Sequence, residues 1–166
     1  MDAGTAASRT RTYSWQDPLA TARAARGLSG LEFLRKIIAG ELPPPPIANT
    51  LDYRLLEVDE GRAVFGFTPA EIHYNPIGMV HGGIACTLLD SAMGCAVHTV
   101  LPAGAGYTTL EVKVNMLRAI GKDSGFLRAE GKLVHAGKST AVAEGRLVDA
   151  QGRLHAFATT TCMILR

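Results

Sequence analysis

Between Glu71 and Glu111 one formally charged side chain, Asp90, interrupts a run that is otherwise neutral or apolar. An unpaired carboxylate is costly to bury. Asp90 is therefore either bonded by neighbouring amides and hydroxyls or kept for chemistry as a nucleophile or general base. Upstream, the run His81-Gly82-Gly83 enters an apolar segment reaching to about Val100. If a helix starts there, its first amides have no intrahelical partner and carry a partial positive charge. Such a terminus suits an oxygen that becomes negative as a carbonyl is attacked. A Gly pair also serves simply to make a tight turn.

Spacing limits what these residues can do together. Asp90 lies about 10 Å along a helix axis from Gly83, too far for both to serve one carbonyl within one chain. An active site built from them has to be shared between two copies. His81 and Asp90 are about half a revolution apart, which removes a dyad within one chain. His81 reads as a helix-entry residue bonded to backbone or to Asn75, or as a catalytic base. Asn75, followed by Pro76, either caps a turn or presents its amide to a water or a substrate carbonyl.

Other chemistries find little support. His73, His98, His135 and His155 are scattered without metal-ligand spacing. Cys86, Cys95 and Cys162 are odd in number and form no CxxC pair, which argues against a disulfide framework and a zinc site; small buried thiols are expected. No GxSxG, P-loop or GxGxxG motif is present, so covalent serine chemistry and nucleotide cofactors are not indicated.

The elements that must position Asp90 are mostly strands. Leu51 to Asp59 and Arg62 to Thr68 flank a Glu60-Gly61 turn; Tyr107 to Arg118, Phe126 to His135, Ser139 to Val148 and Arg153 to Leu165 follow the central segment. Along 107–118, Leu110, Val112, Val114 and Met116 fall on one face, and Thr109, Glu111, Lys113 and Asn115 on the other. The segment from Gly82 is apolar or small nearly all round, as in a helix buried on most sides, and its Ala and Gly residues let a sheet approach. Two strands, one helix and four strands imply an α+β fold with an antiparallel sheet on a helix. Further upstream, Leu31, Leu34, Ile37 and Ile38 predict a short amphipathic helix over 28–39 with Ser29 as N-cap and Gly40 as stop. Pro43 to Pro46 predict a stiff extended connector. Residues 1–27 read as a flexible arm, 28–46 as helix and connector, and 47–166 as the compact domain.

At 166 residues and a formal net charge of +2, the chain fits one globular domain with no polyanion-binding surface, so nucleic acid is not an expected partner. The N-terminus lacks the apolar stretch of a secretory signal, and no run is long enough to span a membrane. A cytoplasmic location is expected.

The run HYNPIGMVHGG, Asp90 within LLDSAMG, and the later TTLEVKVNMLRAI together resemble the PaaI-type acyl-CoA thioesterases of the hotdog-fold superfamily, from about Leu28 to Arg166. The resemblance implies a long central helix wrapped by a curved antiparallel sheet of about six strands, pairing into a homodimer and often a homotetramer. It implies hydrolysis of an acyl-CoA thioester with no cofactor and no metal. Asp90 would be general base or nucleophile, and the Gly83 amide of the partner copy would hold the oxyanion. Asn75 would help place water or thioester, with Thr109, or its neighbour Thr108, at the start of the following strand. The turn Ala136-Gly137-Lys138 resembles the family's turn near the CoA nucleotide. Lys138 there would meet a phosphate or simply be solvated. Two alternatives stay open, an enoyl-thioester hydratase pairing His81 with Asp90 across chains and a non-catalytic acyl-CoA-binding module.

Overall fold

The computed structural model describes residues 8–166, so the first seven residues of the expected arm lie outside the described residues. In chain order the elements are helices α1 (Pro18–Ala25), α2 (Gly30–Ile38) and α3 (Pro46–Leu51) and strands β1 (Tyr53–Asp59) and β2 (Arg62–Phe67). The long helix α4 (Gly82–His98) comes next, then β3 (Gly106–Met116), β4 (Leu127–Ala136), β5 (Thr140–Asp149) and β6 (Leu154–Leu165). The strands form one antiparallel sheet in the order β1-β2-β4-β5-β6-β3, with α4 packed on it, the α+β hotdog arrangement expected.

Local chemistry explains the helices. Ser29 and Glu32 form a capping box on α2, the Ser29 hydroxyl accepting from the Glu32 amide and the Glu32 carboxylate accepting from the Ser29 amide at 2.9 Å. Gly40 follows with φ of 75°, a left-handed stop. The apolar face of α2 buries Leu34 against Val58 and Ala63.

Two N-terminal helices were not anticipated. In α1, Asp17 accepts from the Leu19 amide at 2.9 Å and Pro18 occupies the first turn, an N-terminus signature that the polar sequence around it masked. The extended connector ends at Pro45, and Pro46 opens α3 because a proline's fixed φ suits a first helical turn. Asp52 then adopts a left-handed conformation, φ 59°, and turns the chain into β1 at Tyr53 rather than Leu51.

Helix α4 is the core of the domain. Leu88, Leu89 and Met93 are completely buried, each worth about 1.5–3 kcal/mol relative to exposure. Sheet and helix meet where the sheet lacks side chains. A Cβ on Gly131 of β4 would lie 2.2 Å from the Ala92 carbonyl oxygen, and one on Gly145 of β5 would lie 3.0 Å from Leu89.

Strand β3 corrects the alternation read from sequence. Its pairing with β6 shifts between Thr109 and Glu111, leaving Leu110 as the extra residue of a bulge. The bulge reverses the side-chain phase, so Thr109 faces α4 while Val112 and Val114, beyond it, still pack on the core. Leu110 and Met116, expected on one face with Val112 and Val114, are about half exposed.

The β5–β6 turn is held by a buried carboxylate. Asp149 accepts from the amides of Gln151 (3.0 Å) and Arg153 (2.9 Å) and from Arg153 Nε (2.6 Å), and faces His155 Nε2 at 3.2 Å. Burial alone pushes its pKa up, but the Arg153 amide and guanidinium, His155 and the Gln151 amide together pull it well below the usual carboxylate range. A depressed folded-state pKa contributes stability that is complete above the unfolded value, about 3.9, and is lost as pH falls through the folded value. Asp149→Asn is therefore expected to lower the melting temperature at neutral pH and to flatten its fall below about pH 4. Thermal melts of both proteins across pH 2 to 7 check this; parallel curves would contradict it.

Candidate active site

The entry to α4 is tied down on several sides. The Val80 amide donates to the Ile120 carbonyl and the His81 amide to the His73 carbonyl, at 2.9 and 2.8 Å. Asn75 Oδ1 accepts from the amides of Ile77 and Met79, both at 3.1 Å, so the Asn-Pro segment is an Asx-type turn. His81 is the N-cap of α4, its Nδ1 accepting from the Gly83 amide at 2.9 Å. Both residues thus play the local part open to them in the sequence, His81 bonding to backbone rather than to Asn75. Gly83, the expected oxyanion donor, has its N–H occupied by the imidazole, whereas the Gly82 amide has no protein partner among the described residues. Neither glycine is buried.

Two turns along the helix, Asp90 is half-buried and Thr109 donates its hydroxyl to Asp90 Oδ1 at 2.9 Å. Of the adjoining threonines it is Thr109 that faces the helix; Thr108 is exposed. The second carboxylate oxygen has no protein hydrogen bond among the described residues. One oxygen is fixed and the other is left to accept from a water or to attack.

The setting includes residues that the sequence reading did not select. Tyr53 hydrogen-bonds Ser91 at 3.1 Å, next to Asp90 in the helix. Tyr107, two residues before Thr109 and so on the same strand face, lies across Gly94, where a Cβ would come within 2.6 Å of its hydroxyl oxygen. Its position was legible from that two-residue step; Tyr53 carried no such signal. Burial, and then the charge of Asp90, push the Cys95 thiol up to about 12. Burial first, with Cys95 and Asp90 adding to it, holds the Tyr107 phenol well above 10, and burial raises Tyr53 against the opposing Ser91 bond. At pH 7 these three groups are neutral.

The cysteines differ from expectation in burial. All three are free, but only Cys162 is fully buried, while Cys86 and Cys95 are half-buried, Cys95 because it borders a cavity. The expected CoA contacts, Gly137 and Lys138, lie in the β4–β5 turn, where the Gly137 amide donates to the Thr140 carbonyl at 2.8 Å. Lys138 is exposed, and among the described residues no hydrogen bond joins either residue to Asp90 or to the start of α4.

Comparison with known proteins decides the family. Residues 77–156 match the model of the thioesterase superfamily. The chain is 34% identical over 120 residues to a Saccharolobus solfataricus protein named "Putative esterase", spanning 72% of this chain and 84% of that one. The chain belongs to the thioesterase superfamily. A 1,4-dihydroxy-2-naphthoyl-CoA hydrolase of Listeria monocytogenes is 25% identical over 118 residues, covering 71% of this chain and 94% of the relative. A solved structure from Ralstonia eutropha, described as a "putative thioesterase, phenylacetic acid degradation-related protein", superimposes with a TM-score of 0.71 at 31% identity, covering 78% of this chain and 98% of that one. The matched superfamily segment contains His81, Gly82, Gly83, Asp90, Thr109 and Lys138, and begins two residues after Asn75. Helices α1 to α3 lie outside it.

Proposed function

We propose that the protein hydrolyses an acyl-CoA thioester in a site formed by two copies of the chain. The observation that carries this reading is Asp90, held through one oxygen by Thr109 and free at the other. Asp90 takes a proton from water as the water oxygen bonds to the thioester carbonyl carbon. The carbonyl oxygen becomes negative and is held by the Gly83 amide of the second copy, once the His81 ring swings off that N–H. Collapse breaks the C–S bond, and the departing thiolate takes the proton back from Asp90, giving free acid and CoA. Direct attack by the same oxygen, giving a mixed anhydride that water then opens, uses the same geometry. Asn75, whose carbonyl oxygen is committed to the turn, has its NH₂ left to orient the water or thioester. Lys138 and the Gly137 turn are assigned to the CoA phosphates.

A homodimer is supported by the sheet edge as well as by helix arithmetic. Strand β3 pairs on one side only and exposes Leu110, Met116 and, just beyond it, Leu117. Antiparallel pairing of β3 with a second β3 would satisfy the open backbone groups. Acyl-CoA as substrate is supported by the Listeria relative, whose name specifies a CoA hydrolase. Three free cysteines go with a cytoplasmic setting; among the described residues no helix is long and apolar enough to cross a membrane.

The test is release of free thiol from short, long and aryl acyl-CoAs. Turnover of at least one is expected, and no release from any contradicts the proposal. Thr109→Val should lower kcat by about tenfold or more, since it removes a hydrogen bond to a charged group that aims the carboxylate, while KM moves less. A change confined to KM would exclude that positioning role.

A further inference from the structure

Two of the five histidines are buried, His155 in the β5–β6 turn and His73 beside the candidate site. His73 ends a single 3-10 turn, Glu71–His73, and is only 4% exposed, its ring packed on that of Phe67 with centroids 4.8 Å apart. It is tied in both directions along the chain. Nδ1 accepts from the Ala70 amide at 3.0 Å, closing the turn behind it, while the His73 carbonyl accepts from the His81 amide at 2.8 Å. His81 in turn holds the Gly83 N–H, and the Asn75 turn begins two residues beyond His73. His73 therefore anchors both the Asn75 turn and the start of α4.

The bond to Ala70 fixes the tautomer. Because Nδ1 accepts an N–H, the ring proton sits on Nε2, which is buried and has no hydrogen-bond partner among the described residues. A second proton has to go onto Nδ1, where it would face the Ala70 N–H, donor against donor. Protonation thus breaks the bond that closes the turn and leaves a charge buried against Phe67. Burial first, and then Arg11, hold the His73 pKa below its ordinary 6.5, while the Leu51 backbone and Asp52 act the other way. Arg11 is fixed beside α3 by the carbonyls of Asn49 and Thr50, at 3.0 and 3.1 Å, and Asp52 follows that helix. Glu71, on the turn itself, is paired with Arg9 at 2.7 Å.

We infer that His73 is a positioning residue of the shared site and its acid switch: neutral, it holds Asn75, His81 and Gly83 in place; protonated, it releases them and turnover stops. The inference rests on the hydrolysis reading above and adds to it the regulation of that site. Only a proton moves, from solvent to Nδ1. Since the folded-state pKa is the lower one, the stability that His73 contributes is complete above about 6.5 and is lost as pH falls through the folded value. Activity should follow the same window.

Wild-type kcat should fall below pH 6.5 by up to about tenfold per pH unit, the slope of one proton, with KM moving less because the glycine amide acts on charge that develops in the transition state. This acid limb should move with the charges that act on the ring. Arg11→Gln, which keeps an N–H for the α3 carbonyls, should shift it to higher pH by on the order of half a pH unit. Asp52→Asn, at a left-handed position that Asn tolerates, should shift it to lower pH by less, Asp52 being the more exposed of the two. Both should keep wild-type kcat at pH 8. His73→Asn, whose Oδ1 can accept from Ala70 but takes no proton, should keep activity at pH 8 and lose the limb, where His73→Ala loses activity at every pH. An independent readout uses the wild-type protein alone: the amide resonances of Ala70, His81 and Gly83 should titrate together with the His73 ring protons. A limb that stays put in both charge variants, a His73 ring that stays neutral until the protein unfolds, or amides that do not follow the ring overturns the switch while leaving hydrolysis intact. No thiol release from any acyl-CoA at any pH, with the amides following the ring, overturns the hydrolysis reading and leaves the coupling at His73 standing.

Discussion

Asp90→Asn is expected to lower kcat for acyl-CoA hydrolysis by about 10²–10⁴-fold, the usual contribution of a positioned general base. The substitution keeps size and a carbonyl oxygen to accept from Thr109, so the helix and the bond at 2.9 Å have no reason to change. It removes the oxygen that takes the proton or attacks in the proposed mechanism. No nearby group replaces it, because Tyr53, Tyr107 and Cys95 are all held neutral by burial. KM should change little, since in the proposed mechanism Asp90 acts on the water or the carbonyl carbon rather than on the CoA moiety. Single-turnover thiol release with matched melting curves checks this. Retention of wild-type kcat by a folded Asp90→Asn protein would remove Asp90 from the mechanism.

The largest expected effect on stability comes from Gly131→Ala. The added Cβ would meet the Ala92 carbonyl oxygen at 2.2 Å, with the Ala92 carbon and the Met93 nitrogen close behind. These are backbone atoms of the central helix, so no rotamer change relieves the contact. Strand β4 is paired on both sides, with β2 and β5, and cannot retreat alone. Overpacking of this kind costs about 1–3 kcal/mol or more. A separation of helix and sheet at Ala92 would also displace Asp90, two residues away, so activity should fall with stability. Gly104→Ala is a useful contrast, because a Cβ there meets nothing within 4 Å and the strain is confined to its φ of 82°. Chemical denaturation of the three proteins measures the difference; a Gly131→Ala midpoint equal to wild type would contradict the close-packed interface.

The sequence and the structure agree where a residue's role follows from local pattern. The succession of strands around one long helix, the Ser29 cap and the apolar run of α4 were all legible, because composition, turn residues and capping chemistry act over a few residues. Asp90 stood out because charge is absent around it. What the sequence hid depends on through-space placement or on an irregularity. The bulge at Leu110 decides which threonine meets Asp90, and nothing in TTLEV announces an extra residue. The occupied Gly83 amide follows from the ring orientation of His81, which the letters HGG leave open. Helix α1 is short and buries none of its residues, so no hydrophobic period revealed it, yet it helps to close the cavity.

The central claim is that the carboxylate of one chain works with the glycine amide of another. Subunit mixing tests it most directly. Gly83→Pro deletes the N–H at a first-turn helix position where proline is tolerated, and Asp90→Asn deletes the base; each homodimer should be nearly inactive. Refolded together in equal amounts, half of the dimers carry one intact Asp90 and Gly83 pair, so thiol release should return to about one quarter of the wild-type rate. A mixture no more active than its inactive parents, with heterodimers shown to be present, would contradict the shared site.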